Sequence, residues 1–313
     1  MPIDVVYTWV DDRDPEWRRH YDRALQRLGR GEINREATDP ARFRSRDELR
    51  YTLRSLAAYA PFVRNVYVVT SGQVPEWLDT TADNLHVIRH EDILDADCLP
   101  TFNSHAIESR LHHIPGLAEH YLYLNDDFFL GRPVTADRFF DANGSARFFR
   151  SPARIPPPAE VRGERSVDIA AANTRRLIHE RFGRRAENKF KHAPYPQRRS
   201  VLFEMEEVLA EEFARTAANR LRSGDDIAVP SSLSHYYAHL TGRAVPGRIA
   251  SRYVSLDEPR LRRRLRKLAR RGGFDVLCIN DAAADDVTGL ARRRRQLERF
   301  MATYWPEPGP FER

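Results

Sequence analysis

Three apolar segments of the chain run directly into clusters of polar residues, and this pattern limits the fold more than any other feature of the sequence. The segments 3–10, 65–70 and 120–125 are rich in β-branched and aromatic residues, which is typical of buried strands. An amphipathic segment at 46–60 predicts a helix between the first two. Strands that alternate with helices predict an α/β fold with a mostly parallel sheet whose two faces are covered.

The polar clusters stand where such a sheet binds its ligands. They are Asp11-Asp12, Ser71-Gly72-Gln73 and Asn125-Asp126-Asp127, each at the end of a predicted strand. A single acidic cluster is most simply explained as a turn or a helix cap. Three clusters at strand ends favour a site, because ligands of parallel sheets lie at the carboxyl ends of the strands.

Acidic strand ends also suggest a metal. Mg²⁺ or Mn²⁺ is held by one or two carboxylates together with the phosphate oxygens of a substrate. Asp126 and Asp127 fit this requirement, and Asp281 ends the last predicted strand, 274–281. The sequence therefore predicts that Asp126, Asp127 and Asp281 bind a divalent cation.

Other segments are assigned by the same rules. Residues 85–92 are predicted as a third strand and 106–113 as a helix. Further helices are expected at 166–183 and 201–222, and the basic segment between them, 189–199, is expected to be irregular. Residues 120–130 are expected to form a strand that runs straight into the paired aspartates.

Cations suited to phosphate are concentrated after the middle of the chain. They are Lys189, His192, Arg198, Arg199 and Arg222. Arginine binds phosphate through two parallel hydrogen bonds. The net charge of +6 comes almost wholly from arginine, and a codon bias toward arginine explains such an excess equally well. The positions of the cations relative to the acidic clusters therefore matter more than their number.

Composition points to a protein of the cytoplasm. The two cysteines, Cys98 and Cys278, have no metal-binding or disulfide spacing and are expected to be inert thiols. The chain starts without the features of a signal peptide, and no apolar run is long enough to span a bilayer. The basic amphipathic segment 259–271 could lie on the inner face of a membrane, although such a run is more often a solvated helix face.

DVVYTWVDDRDPEW (4–17) is a long and unusual motif that resembles the first signature region of the Stealth proteins. That family includes bacterial capsule polymerases and a eukaryotic N-acetylglucosamine-1-phosphotransferase. Residues 42–78, with LPTFNSHAIES (99–109) and YLYLNDDFFLG (121–131), resemble the second, and NKFKHAPYPQ (188–197) with RLRSGDDI (220–227) resembles the third. FDVLCIND (274–281) and WPEPGPFE (305–312) resemble the fourth.

The resemblance implies a Rossmann-like core similar to that of glycosyltransferases of the A type. It also implies a UDP-sugar donor and transfer of a hexose-1-phosphate to a glycan with release of UMP. The expected organisation is a nucleotide-sugar-binding core at 1–150, a helical and basic insertion at 151–235 that carries phosphate-binding residues, and a part at 236–313 that completes the core.

Site residues follow from the motifs. Asp127, His192 and Arg222 are the expected catalytic residues. Donor binding is assigned to residues after the first two strands and in the second and third regions, namely Trp9, Asp11, Ser71, Gly72, Asn103, His105, Asn173 and Lys189. Either an aspartate of LNDD or His192 would take the proton of the acceptor hydroxyl.

Two other functions stay open. An ordinary metal-dependent glycosyltransferase would use the same donor and release UDP. A non-enzymatic protein that binds polyanions would be driven by the positive charge and would respond steeply to salt. Acidic clusters at the strand ends argue against this second alternative, and a nucleic acid partner is not expected.

Overall fold

The computed structural model describes residues 1–27, 35–157, 161, 166–280 and 287–313. The strands are β1 (Ile3–Thr8), β2 (Val63–Thr70), β3 (Leu85–Arg89), β4 (His120–Asn125), β5 (Phe128–Leu130), β6 (Ala146–Phe148), β7 (Arg150–Arg154), β8 (Asn188–Phe190), β9 (Tyr195–Arg198), β10 (Ala244–Pro246), β11 (Ser251–Ser255) and β12 (Val276–Asn280). The helices are α1 (Pro15–Arg27), α2 (Glu48–Tyr59), α3 (Ser104–Glu108), α4 (Ser166–Phe182), α5 (Arg199–Val208), α6 (Ala210–Ala218), α7 (Ser234–Leu240), α8 (Leu261–Arg271) and α9 (Val287–Tyr304).

The main sheet has five strands in the order β3-β2-β1-β4-β9. The first four are parallel, and β9 pairs antiparallel to β4 at the edge. The order 3-2-1-4 in parallel strands is that of the Rossmann fold, so the predicted α/β class with a mostly parallel sheet is confirmed. The strand interiors are apolar because both faces of the sheet are buried.

A second sheet has three strands in the order β11-β12-β5, and its strand β5 follows β4 of the main sheet in the chain. The predicted strand 120–130 is in fact two strands, β4 and β5, separated by Asp126 and Asp127. Alternate residues of β5 and β12 face opposite ways: Phe128 and Cys278 join the main core, while Phe129 and Leu277 pack under α8 and α9. The break therefore places the acidic pair where the chain passes from one sheet to the other.

The prediction of an irregular segment at 189–199 is wrong. Residues 188–190 form β8, and residues 195–198 form β9, the edge strand of the main sheet. Pro194 and Pro196 hid this strand in the sequence, because proline cannot donate a ladder hydrogen bond and is tolerated only at edges. The edge position of β9, where Pro196 pairs with Leu122, satisfies that restriction.

The amphipathic helix predicted at 259–271 is confirmed as α8. Its leucines, Leu261, Leu265 and Leu268, are buried against β11 and β12, and its arginines face outward. Within the described residues, every helix is too short or too polar to cross a bilayer.

Candidate functional site

Strand register brings the predicted polar clusters to one edge of the main sheet. Thr8, the last residue of β1, pairs with Val69 of β2 on one side and with Asn125 of β4 on the other. The residues that follow these strands, among them Trp9 and Asp126, therefore lie along the same edge. This is the edge where parallel sheets bind ligands.

The acidic pair at this edge is half-buried and held on one side only. Asp127 Oδ2 accepts a hydrogen bond from the Cys278 thiol at 3.3 Å, while Asp127 Oδ1 is buried and has no hydrogen-bond partner within the described part of the chain. Burial, together with the charge of Glu48, raises the pKa of Asp127 to about 7. Burial and the charges of Glu48 and Asp127 also raise the pKa of Asp126 well above its usual value.

Glu48 is a third carboxylate beside the pair, and the sequence did not single it out. It begins α2 and is buried, with Oε2 accepting from the Arg46 backbone at 2.5 Å and Oε1 lying 3.7 Å from the Arg46 guanidinium. Trp9 braces the same loop, because its indole donates to Ser45 Oγ at 3.3 Å. The predicted donor-binding Trp9 is thus joined to the loop that positions Glu48.

His192 is an exposed residue between β8 and β9 and lies near Phe128, which follows the acidic pair. Its ring centre is 6.1 Å from that of Phe128, the residue after Asp127, and 5.0 Å from that of Tyr253 in β11. Desolvation and the charge of Lys189 lower the pKa of His192 below its ordinary value of 6.5. The imidazole is therefore neutral at pH 7 and able to accept a proton.

The RSGDD loop is fastened by Asp226, which is fully buried. Asp226 Oδ2 accepts from Asn103 Nδ2 at 2.9 Å and from the Ser223 backbone at 3.0 Å, and lies 3.1 Å from His105 Nδ1. Asn103 also caps α3 by accepting from the His105 backbone at 3.0 Å. Both residues, predicted to bind the donor, thus hold the loop that carries Arg222.

The side chain of Arg222 extends from this loop to the first residues of α3 and α4. Its guanidinium donates to Ser104 Oγ at 2.7 Å and to Ser166 Oγ at 3.3 Å. It is half-buried, and its charge acts on the buried groups around it by lowering the pKa of Glu108 and of His105. Burial is the larger influence on both groups, and it raises the pKa of Glu108 to about 7 and lowers that of His105 to about 4.

One tyrosine connects the Arg222 loop to the acidic strand end. The hydroxyl of Tyr123 lies 2.9 Å from Glu108 Oε1, 2.8 Å from Asn125 Oδ1 and 3.0 Å from Thr8 Oγ1. Asn125 is directly followed by Asp126. Helix α3, which bonds Arg222 through Ser104 and Tyr123 through Glu108, therefore connects the Arg222 loop with the strand end that precedes the acidic pair.

Two more of the predicted donor-binding residues contact segments next to Arg222. Lys189 forms an ion pair with Asp168, two residues after the Ser166 that bonds Arg222. Asn173 donates to the backbone oxygens of Gly224 and Asp226 at 2.8 and 2.9 Å, which supports the RSGDD loop from α4.

The ends of β1 and β2 are held to each other. Gln73 Nε2 donates to the Asp11 backbone oxygen at 2.8 Å, and the Asp11 backbone donates to Gln73 Oε1 at 3.1 Å. The carboxylate of Asp11 is bound by Arg13, whereas Ser71 and Gly72 are exposed. Gly72 has φ +101°, a conformation that glycine adopts without strain.

Asp281, the third predicted metal ligand, lies outside the described residues. Among the described residues, three potential ligands converge at His112, His113 and Glu206, where both imidazole Nε2 atoms lie 2.6 Å from Glu206 Oε2. That cluster adjoins the amino end of β4, because Arg199, which follows the end of β9 paired with His120, donates to the His112 backbone oxygen. Arg110 also pairs with Glu206, so a cation already balances this carboxylate, and the cluster lies at the opposite end of β4 from the acidic pair.

Sequence reasoning missed three buried residues of the site. Glu48 stands within residues 42–78, and Glu108 and Tyr123 stand within LPTFNSHAIES and YLYLNDDFFLG. Glutamate on a helix is normally exposed, so nothing in the pattern marks Glu48 or Glu108 as buried. For Glu108 and Tyr123 the available signal was their presence in motifs whose other members were chosen.

A Rossmann-like sheet with a polar, partly desolvated site at its carboxyl edge defines an α/β protein that binds its ligand at the strand ends. Three family models match the chain: Stealth protein conserved region 1 at residues 1–29, conserved region 2 at 42–148 and conserved region 3 at 191–239. Together they cover more than half of it. The chain belongs to the Stealth family.

Curated relatives of this family match along the whole chain. An exopolysaccharide phosphotransferase of Streptomyces coelicolor is 50% identical over 100% of this chain and 53% of its own length. The exopolysaccharide phosphotransferase CpsY of Mycobacterium tuberculosis is 41% identical over 99% of this chain and 58% of its own length. The chain thus spans about half the length of these relatives.

Among solved structures, the galactosyltransferase LgtC in complex with donor and acceptor sugar analogues is similar over 96% of this chain and 95% of its own. The identity is 14% and the TM-score 0.42. At these values the likeness carries no functional argument.

Proposed function

We propose that this protein transfers a hexose-1-phosphate from a UDP-sugar to a hydroxyl of a glycan, with release of UMP. The proposal is supported by the surroundings of the acidic pair, Asp126 and Asp127: His192 lies beside Phe128, the residue after the pair. The charge of Arg222 also acts on Glu108, the carboxylate that bonds Tyr123 near the end of β4. The names of the relatives, exopolysaccharide phosphotransferases, support the same reaction class and a role in polysaccharide synthesis.

A divalent cation, Mg²⁺ or Mn²⁺, fits the acidic pair. Oδ1 of Asp127 is buried and has no partner among the described residues, and the pKa values of both aspartates are raised. Both features are expected of carboxylates that bind a cation when the cation is not there to balance their charge. Asp126 and Asp127 would hold the ion, with Asp281 as a further predicted ligand. When bound, it would neutralise charge on the donor diphosphate.

The reaction is a displacement at phosphorus. The acceptor oxygen bonds to the β-phosphorus, the bond from that phosphorus to the bridging oxygen breaks, and UMP leaves with the bridging oxygen. The sugar keeps its anomeric C–O bond, so no charge develops on the ring. Such transfers depend on neutralised phosphate oxygens and on positioning more than on covalent help.

Two residues of the chain have distinct roles in this step. Arg222 faces the donor phosphates with a planar guanidinium that serines fix in place. His192 is exposed and neutral, whereas the two aspartates would be occupied by the cation. His192 therefore takes the proton of the acceptor hydroxyl.

The test is the identity of the nucleotide product. Purified protein is incubated with UDP-N-acetylglucosamine, UDP-glucose or UDP-galactose and Mg²⁺, with and without a glycan acceptor, and the nucleotides are separated by chromatography. We expect slow release of UMP that the acceptor accelerates. UDP as the sole product would instead identify a glycosyltransferase, and metal-independent binding of polyanions without turnover would identify a binding protein.

Association with the inner face of a membrane stays a prediction. The outward arginines of α8 would meet anionic lipid by charge alone, because the leucines of this helix are buried in the protein.

A further inference from the structure

A basic cleft lies at the far end of the three-stranded sheet, outside the site described above. Its volume is about 530 Å³, a size typical of pockets for small ligands or for short segments of a chain. Five of its ten lining residues are cations: Arg132, Arg138, Arg150, Lys191 and Arg248.

The charge of the cleft is largely uncompensated by its own walls. Asp275 is the acidic residue in the lining, and it accepts from Arg132 at 2.7 Å and from the Ala250 backbone at 2.9 Å. Pairing of Asp275 with Arg132 leaves four further cations in the lining, so the lining residues carry a net positive charge. An anion, and not a neutral ligand, is therefore the partner that this cleft fits.

The cleft is built from fixed elements. Lys191 Nζ donates to the Ile249 backbone oxygen at 2.9 Å, and Arg138 donates to the Arg248 backbone oxygen at 3.2 Å, so these cations hold the loop 246–250. Gly247 allows this loop to lie close to β6, because a Cβ there would stand 2.9 Å from the Phe149 ring and 3.0 Å from Arg147 Cβ. The Arg150 guanidinium lies over the Phe148 ring at 5.4 Å.

Two segments connect the cleft to the candidate site. Lys191 directly precedes His192, so the near wall of the cleft begins about 4 Å along the chain from the proposed base. Arg132 stands five residues after Asp127 beyond β5, about 16 Å away for an extended strand. A ligand in the cleft would thus extend away from the acidic pair.

We propose that this cleft binds the phosphodiester-bearing end of the acceptor glycan. This inference rests on the proposed function, because each transfer of a hexose-1-phosphate leaves a phosphodiester in the product. A product that re-enters as acceptor carries negative charge behind its reactive hydroxyl. The cleft then selects anionic glycans as acceptors and retains the growing chain beside His192.

The experiment measures binding of a fluorescent poly(glycerol phosphate) chain of about eight units, by anisotropy, with a neutral dextran octamer as the comparison. We expect the anionic chain to bind with an affinity that falls as salt rises, and the dextran to bind at least about tenfold more weakly. Arg150→Glu/Arg248→Glu should weaken binding of the anionic chain about thirtyfold or more, with UDP affinity, measured by calorimetry, within about twofold of the native protein.

The matched control is Arg266→Glu/Arg270→Glu, which makes the same change of charge on exposed residues of α8, across the sheet from His192. It should change binding by less than about threefold. An equal loss in both double variants, or equally tight binding of single-stranded DNA through the same cleft residues, would make the site a general polyanion surface and overturn the proposal. So would loss of UDP affinity in the cleft variant, or displacement of the probe by 10 mM inorganic phosphate at constant ionic strength.

These outcomes are independent of the nucleotide product. UDP release with intact, cleft-dependent binding of the anionic chain would refute the phosphotransferase reaction and leave the binding site standing. UMP release without such binding would support the phosphotransferase reaction and refute the proposed binding site.

Discussion

The thiol of Cys278 donates to Asp127 Oδ2 at 3.3 Å, which leaves Oδ1 of the same carboxylate buried and without a partner in the described part of the chain. Cys278 is fully buried in β12, and its pKa is raised well above the usual value, first by burial and then by Asp127. The thiol is therefore unreactive, as the sequence predicted, and its role is to orient one oxygen. The other oxygen is left for an external cation.

This arrangement predicts that Asp127→Asn stabilises the protein when metal is absent. Asparagine removes one of three carboxylates that repel each other in a partly desolvated site. We expect the free energy of unfolding to rise by about 1–2 kcal/mol at pH 8 in EDTA, less than full burial would give because water screens the half-buried pair. Thermal unfolding should show an increase of about 3 °C.

Addition of Mg²⁺ should reverse this order. A ligand that binds only the folded state stabilises it, so 10 mM Mg²⁺ should raise the melting temperature of the native protein and leave that of Asp127→Asn almost unchanged. Turnover of Asp126→Asn and of Asp127→Asn should fall at least about a hundredfold. Near-normal turnover in both variants, or an equal Mg²⁺ response, would show that the metal is not held here.

A second prediction concerns the tail at 305–312. Glu312 is buried and pairs with Arg54 at 2.6 Å and with Arg50 at 2.5 Å, which fastens the tail to α2, the helix that begins with Glu48. Glu312→Gln should lower the free energy of unfolding by about 3 kcal/mol at pH 7, because it leaves Arg54 half-compensated in a buried site. Urea denaturation followed by circular dichroism measures the change.

The pH dependence of this effect has a defined sign. Burial opposes ionisation of Glu312, but its hydrogen bonds from Arg54, Gly309 and Arg50 prevail and lower its pKa to about 2. The stabilisation is complete above the ordinary value of 4.5 and is lost as the pH falls from about 4.5 toward 2. Glu307→Gln, an exposed change in the same tail, is the control and should stay within about 0.5 kcal/mol at either pH.

Apolar periodicity was enough to predict the strands on which the site stands. β1, β2 and β4 each combine β-branched or aromatic residues with a polar end, and the register of the parallel sheet brings those ends together. The site at the strand ends followed from that pattern because every parallel strand delivers its carboxyl end to the same edge.

Long-range pairing could not be predicted in the same way. β9 joins the main sheet through a segment with two prolines, which reads as a loop until its edge position is known. Glu108 is buried by the packing of distant segments and is hydrogen-bonded to Tyr123, fifteen positions away, so the local sequence gives no sign that burial raises its pKa. The roles of Asn103 and His105 in holding Asp226 likewise need the fold.

A third prediction concerns Arg222. Lysine keeps the charge but lacks the planar fork whose two separate nitrogens donate to Ser104 and Ser166. Arg222→Lys should lower kcat at least about thirtyfold and change KM by less than about threefold, because the fork acts mainly on the transition state. Steady-state kinetics with a UDP-sugar and acceptor, and a melting curve, measure both effects.

The matched control is Arg220→Lys, two residues earlier in the same loop, whose guanidinium binds the backbone oxygens of Asp97, Leu99 and Pro100 instead. It should affect stability more than kcat. If Arg222→Lys were close to the native protein in both respects, the contacts of the guanidinium would be worth only about 0–1 kcal/mol, as for a surface pair, and Arg222 would not be part of the site.

The last prediction tests His192 as the base through its pH profile. His192→Gln keeps a polar side chain without a proton acceptor in the required range, and kcat should fall at least about a hundredfold. In the native protein, kcat/KM should rise with pH through a pKa below 6.5 and level off above it, because only neutral His192 accepts the proton.

Lys189→Gln removes a positive charge that lowers the pKa of His192, so the rise should move to higher pH and kcat/KM at pH 5.5 should drop by roughly two- to threefold. Lys267→Gln, an exposed lysine of α8, supplies the matched control and should leave the profile where it was. A rise that stayed in place in Lys189→Gln, or that persisted in His192→Gln, would assign the proton to another group, and the aspartates of the acidic pair would be the next to test.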